Sequence, residues 1–158
     1  MKIQTLFILL SFLCFSCQEE KTTDKPSWLS GTEEENLQEI AHQLGGFSKT
    51  MMEVSYRYSE LYWAGQDENW KYAEHQLEHL VEALEAGLVR KPERANSAQE
   101  FLTDYIPEMQ KAIENEDQEI FNNAFRSFTS GCNGCHAKEN ESFIQIKLPE
   151  TRLSPVRF

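Results

Sequence analysis

The chain has 158 residues, enough for one domain around one core, and a formal net charge of −11. That charge argues against nucleic-acid binding, which favours basic surfaces. It suits a partner with a basic patch. Gly and Pro are few and charged residues recur at helical intervals, which excludes a disordered chain.

Residues 1–16 read as a leader. Lys2 is followed by an apolar run, Ile3 to Phe15, too short for a membrane span and of signal-peptide length. Ser16 before Cys17 resembles a bacterial lipoprotein signal. The resemblance implies lipidation of Cys17 and a membrane anchor at the periplasmic face or cell surface. An ordinary secretory signal cut near Cys17 is the other reading, and both imply export. Residues 17–31 are polar, contain Pro26 and read as a tether.

Residues 32–148 read as four helices. Thr32 and Glu35 form a capping-box pattern. From there apolar residues keep a helical period to about Ala64, predicting one long first helix. Leu37, Ile40, Leu44, Phe47, Met51, Tyr58 and Tyr62 share its inward stripe, with Met51 at the centre, Met52 at the edge and His42 outward. Gly65 to Glu68 break the pattern. A second helix is expected from about Asn69 to Val89, with Trp70, Ala73, Leu77, Leu80, Val81, Leu84 and Leu88 inward. His75 and His79 lie four apart on its outer face, a spacing that can bind metal, but no third ligand is evident and they read as solvated. The third helix spans about Arg94 to Asn115, with Pro107 expected to kink or split it and Met109 in its core. Asp117 is the expected cap of a fourth helix reaching about Lys138. Its inward stripe holds Phe121, Ala124, Phe125, Phe128, Cys132 and Cys135. Short links imply an all-α, antiparallel up-down four-helix bundle.

The fourth helix ends on Cys132-Asn133-Gly134-Cys135-His136. C-x-x-C-H is the attachment pattern for c-type haem. Two thiols about a helical turn apart add across two vinyl groups, and the adjacent imidazole supplies an axial nitrogen to the iron. Cys14 leaves with the leader and Cys17 is spoken for if lipidated, so the four cysteines do not form a disulfide framework. One cysteine pair with His136 falls short of a structural zinc site, and no strand-helix alternation supports a thioredoxin-type pair. Gly131 and Gly134 weaken the helix by about 1 kcal/mol each, which a flat macrocycle close to the backbone would explain. Phe143 to Pro149 alternates and is expected to fold back over the haem edge or the bundle. Residues 149–158 form an extended tail kept so by Pro149 and Pro155.

A four-helix bundle with this motif on its last helix resembles the class II cytochromes c, of the c′ and c-556 type, over about residues 33–148. A nearer likeness is to small exported monohaem proteins of that shape. They share Met51, Leu61-Tyr62-Trp63-Ala64-Gly65, Asn69-Trp70, the Cys-Asn-x-Cys-His run and Phe143-Ile144-Gln145-Ile146-Lys147-Leu148-Pro149. Where such relatives often carry a histidine this chain has Tyr58. The resemblance implies one covalent haem c on Cys132 and Cys135, with His136 as the proximal iron ligand. It also implies a first helix lying over the opposite face of the iron, and it allows a homodimer. Met51 is then either the distal ligand of an electron carrier or a side chain that crowds a five-coordinate iron open to nitric oxide or carbon monoxide. An acidic helical binding protein without haem is a third reading. No paired apolar carboxylates, Ser/His/Asp set or phosphate loop point to an enzyme.

Overall fold

The computed structural model describes residues 26–156. The leader, Cys17 and the first part of the tether lie outside the described residues. The chain divides between Gln43 and Leu44 into two units.

In the first unit Thr32 and Glu35 close the expected box. Thr32 N–H donates to the Glu35 carboxylate at 2.7 Å, and Glu35 N–H donates to Thr32 Oγ1 at 3.3 Å. The bonds from Thr32 hold the Glu35 carboxyl below its usual range. Helix α1 follows, Glu33–Leu44, with three glutamates in its first turn and no buried residue. Three acids there suit the positive end of the helix dipole.

The expected single helix from Glu33 to Ala64 is instead two. Gly45 has φ +75°, and α2 starts afresh at Phe47 and runs to Gln66. A left-handed glycine ends a right-handed helix because it lets the chain turn without a Cβ clash. The stripe therefore loses its first members: Leu37, Ile40 and Leu44 are exposed, whereas Tyr58 and Leu61 are buried.

The second unit is an all-helical assembly of four rods, with no strand among the described residues. Helix α3, Trp70–Arg90, is capped by Asn69, whose side chain accepts from Tyr72 N–H at 3.2 Å. The third rod is a composite. A 3₁₀ turn at Pro92–Arg94 leads into α4, Ala95–Glu100, then a π-helical turn Phe101–Tyr105, then α5, Ile106–Glu114. The π turn ends two residues before Pro107, which has no N–H to give and a ring that crowds the carbonyl four residues back, inside that turn. The expected disruption is thus absorbed by widening one turn. Helix α6, Gln118–Lys138, is capped by Asp117, which accepts from Glu119 N–H and Ile120 N–H at 2.9 Å each. No helix among the described residues is long and apolar enough to cross a membrane.

Side-chain pairs give the rod directions. Going up α2, Tyr58, Tyr62 and Gly65 meet Thr129, Phe125 and Phe121 going down α6, so these two helices are antiparallel. Thr50 meets Arg90, Arg57 meets Gln76 and Glu60 meets Tyr72, so α2 and α3 are antiparallel too. Phe121, Phe125, Phe128, Leu61, Leu77, Leu80 and Met109 are fully buried. The phenylalanines sit at helical spacing on one face of α6, so they line a continuous aromatic seam with Tyr58 and Tyr62.

After α6 the chain reverses and runs back along the bundle. Ile146 N–H and C=O both pair with Asn133, Lys147 C=O accepts from Tyr58 Oη at 3.1 Å, and Arg152 reaches Trp63 C=O at 2.9 Å and the Asp67 carboxylate at 2.6 Å. The tail thus follows α2 from the His136 end of the bundle towards the Gly65 end.

Candidate functional site

The last turns of α6 carry Cys132, Asn133, Cys135 and His136, each half-buried. Cys132 packs against the aromatic core. Burial pushes its thiol up to about 12, and the neighbouring Cys135 adds to that. Cys135 lies towards the rim. Burial raises its thiol, Glu139 adds to the rise, and Lys138 and Arg94 oppose it. Both cysteines are free thiols. They sit three residues apart on an unbroken helix, so both side chains leave the same side.

His136 is oriented by the returning tail. Its Nδ1 is 3.0 Å from the Ile144 carbonyl oxygen. A carbonyl only accepts, so Nδ1 carries a hydrogen, and in the neutral ring the Nε2 lone pair is left as a donor. Ile144 is held from one side by a turn, its N–H donating to Glu141 C=O at 2.8 Å while Glu141 N–H donates to His136 C=O at 2.8 Å.

Charged groups close the end of the bundle around these residues. Arg94 reaches Glu139 at 3.1 Å and Glu141 at 4.0 Å, and its guanidinium lies over Phe47 at 5.1 Å from the ring centroid. Lys138 pairs with Glu100 at 2.6 Å.

The two glycines of the motif region differ. A Cβ on Gly131 would fall 2.6 Å from Tyr105 Cδ2 and 3.0 Å from Phe101 Cδ2. Gly131 is therefore needed where α6 crosses the π turn, and that close crossing replaces the macrocycle as its reason. A Cβ on Gly134 would meet nothing within 4 Å, so the backbone there faces open space.

Met51 is half-buried and packs against the core. The antiparallel pairing of α2 with α6 puts Tyr58 opposite Thr129. Seven residues earlier on α2 and seven later on α6 rise equally, which brings Met51 to the height of His136. Met52 is 73% exposed, in keeping with its edge position. Met109 is a core side chain with 0% exposure. His42 and His75 are exposed. His79 bonds Glu82 at 2.7 Å, and its ring meets His75 edge-on at 80°. No group of three or more His, Cys, Asp or Glu suited to a metal ion occurs among the described residues.

The structure adds Asn133, Tyr58 and Ile144 to the residues that shape this site. Asn133 and Ile144 lay inside runs that carried the family likeness and Tyr58 at a position where the chain departs from it, yet none signals its contact by residue type or spacing. No family model, curated protein or solved structure matches the chain.

Proposed function

We propose that the chain is a monohaem c-type cytochrome of the cell envelope that carries single electrons. The observation that carries this reading is the His136 Nδ1 bond to the Ile144 carbonyl. It leaves Nε2 as a donor beside two thiols one helical turn apart. Axial imidazoles are commonly oriented through such a bond on the far nitrogen. The open space beside Gly134 also fits a flat group lying against the helix.

In this reading Cys132 and Cys135, free thiols one helical turn apart, would hold the haem through thioether links. His136, with Nδ1 engaged by the Ile144 carbonyl, would offer Nε2 to the iron. The haem supplies an iron that changes by one electron. The chain supplies a buried, aromatic setting and, through Met51, a thioether at the height of His136, and thioether ligation raises the potential. Cys17 carries the lipid that keeps the protein at the membrane.

The packing of Met51 against the core favours a second reading, in which it fills space over a five-coordinate iron that binds nitric oxide or carbon monoxide. Visible spectra of the oxidised and reduced protein, with and without carbon monoxide, separate the two. A low-spin spectrum indifferent to carbon monoxide supports electron transfer. High-spin ferrous haem that takes up the gas supports the second reading. A colourless protein from a host competent to attach c-type haem overturns both.

The net charge of −11 points to a redox partner with a basic docking patch. Electron transfer between them should slow as ionic strength rises. A rate indifferent to salt removes the electrostatic docking.

A further inference from the structure

We propose that Asn133 is a positioning residue for His136, acting through the tail. Asn133 Nδ2 donates to Ile146 C=O at 3.0 Å, and Ile146 N–H donates to Asn133 Oδ1 at 2.7 Å. One carboxamide thus satisfies both backbone groups of Ile146, as a neighbouring strand would. The Ile146 side chain packs on the core at the same point. Two residues earlier in the tail is the Ile144 carbonyl, the acceptor for His136 Nδ1. Asn133 and His136 are three residues apart and so share a face of α6, and the tail is laid along that face.

Ile144 is held between two anchors, the turn at Glu141 before it and the Asn133 clamp after it. With the clamp in place, the hydrogen of the neutral imidazole is kept on Nδ1. Without it the carbonyl drifts from reach, and the imidazole reverts to the form free histidine prefers in water, with hydrogen on Nε2. Aspartate at 133 would still accept from Ile146 N–H but would set an oxygen against Ile146 C=O. What Nε2 then does rests on the proposed function, whereas the clamp does not.

The test uses the full chain without haem, labelled with ¹⁵N, at a pH where His136 is neutral. The wild type should show hydrogen on Nδ1 and a protected Ile146 amide. Asn133→Ala should exchange the Ile146 amide about tenfold faster or more and move His136 towards the Nε2–H form. Asn133→Asp should fall between the two in amide exchange. Asn123→Ala, an exposed change on the same helix, should alter neither, and helical circular dichroism should be unchanged throughout. A His136 tautomer that ignores Asn133→Ala, or a wild type with hydrogen on Nε2, overturns the proposal. In the haem-loaded protein Asn133→Ala should shift the reduction potential while the thioether attachment persists. A wild type that never takes up haem removes the proposed function and leaves the clamp to be judged on the tautomer alone.

Discussion

The hydroxyls of Tyr58 and Thr129 lie 2.8 Å apart inside the bundle, joining α2 to α6. Thr129 Oγ1 also donates to Phe125 C=O at 2.7 Å, so its single hydrogen is committed there and Tyr58 is the donor between the two hydroxyls. Tyr58 Oη also lies 3.1 Å from the Lys147 carbonyl, and its single hydrogen is shared between these two acceptors. One phenol thus ties two helices and the tail together. Tyr58→Phe should keep the ring packing on Phe125 and Phe128 and lose the polar tie. The expected cost is about 1 kcal/mol in chemical denaturation, with faster amide exchange along the tail. A variant with wild-type stability and tail exchange would show that the ring alone matters.

Burial also sets how the fold responds to base. It pushes Tyr58 and Tyr72 from 10.0 up to about 12. An acid whose folded value is raised keeps its neutral form in the native state. The stability this contributes is fully present below pH 10 and is lost as pH rises towards 12. Cys132 extends the window downward in the haem-free chain, because its thiol rises from 9.0 to about 12. Denaturation midpoints of that chain should therefore begin to fall near pH 9. Alkylation of Cys132 at pH 8 should be about a thousandfold slower than that of an unburied thiol, in line with the lower thiolate fraction. Rapid alkylation in the folded state would contradict the burial of this group.

Gly131 and Gly134 give opposite predictions from one helix. Gly131→Ala drives a methyl into the rings of Tyr105 and Phe101, which cannot move without opening the contact between α6 and the π turn. The expected loss is about 1–3 kcal/mol. Gly134→Ala meets open space and should stabilise the haem-free helix by up to about 1 kcal/mol. Thermal melts of the two variants check this directly. Equal effects would mean that the two positions have the same surroundings.

Much of this architecture is written locally. Asp117 caps where its side chain predicts, Asn69 caps α3 close to the expected start of that helix, and the phenylalanine spacing of α6 places its buried face. The break at Gly45 is different. Leu37, Ile40, Leu44, Phe47 and Met51 keep one helical phase across the two glycines, so periodicity runs through a point where backbone torsion does not. The Gly-Gly pair was the available signal. The candidate site was legible as three residues, Cys132, Cys135 and His136, because the proposed chemistry rests on their spacing alone. The hold of Asn133 on Ile146 was not, since it joins a side chain to a backbone 13 residues away and leaves no mark on hydrophobic pattern or charge.

Met51 decides between the two functional readings. It lies at the height of His136 by the antiparallel run of α2 against α6, and it is half-buried where Met52 is exposed. A thioether has no charge and no strong hydrogen-bonding demand, so the same side chain serves as packing or as a donor without refolding its helix. Met51→Ala keeps α2 intact, because alanine is the best helix former. If the thioether is a ligand, the substitution should convert a low-spin haem to a high-spin one, lower its reduction potential and open it to carbon monoxide. If it only fills space, the protein is high-spin from the start, and the substitution should speed gas binding without changing the spin state. A low-spin spectrum that survives the substitution would assign the sixth position to another residue.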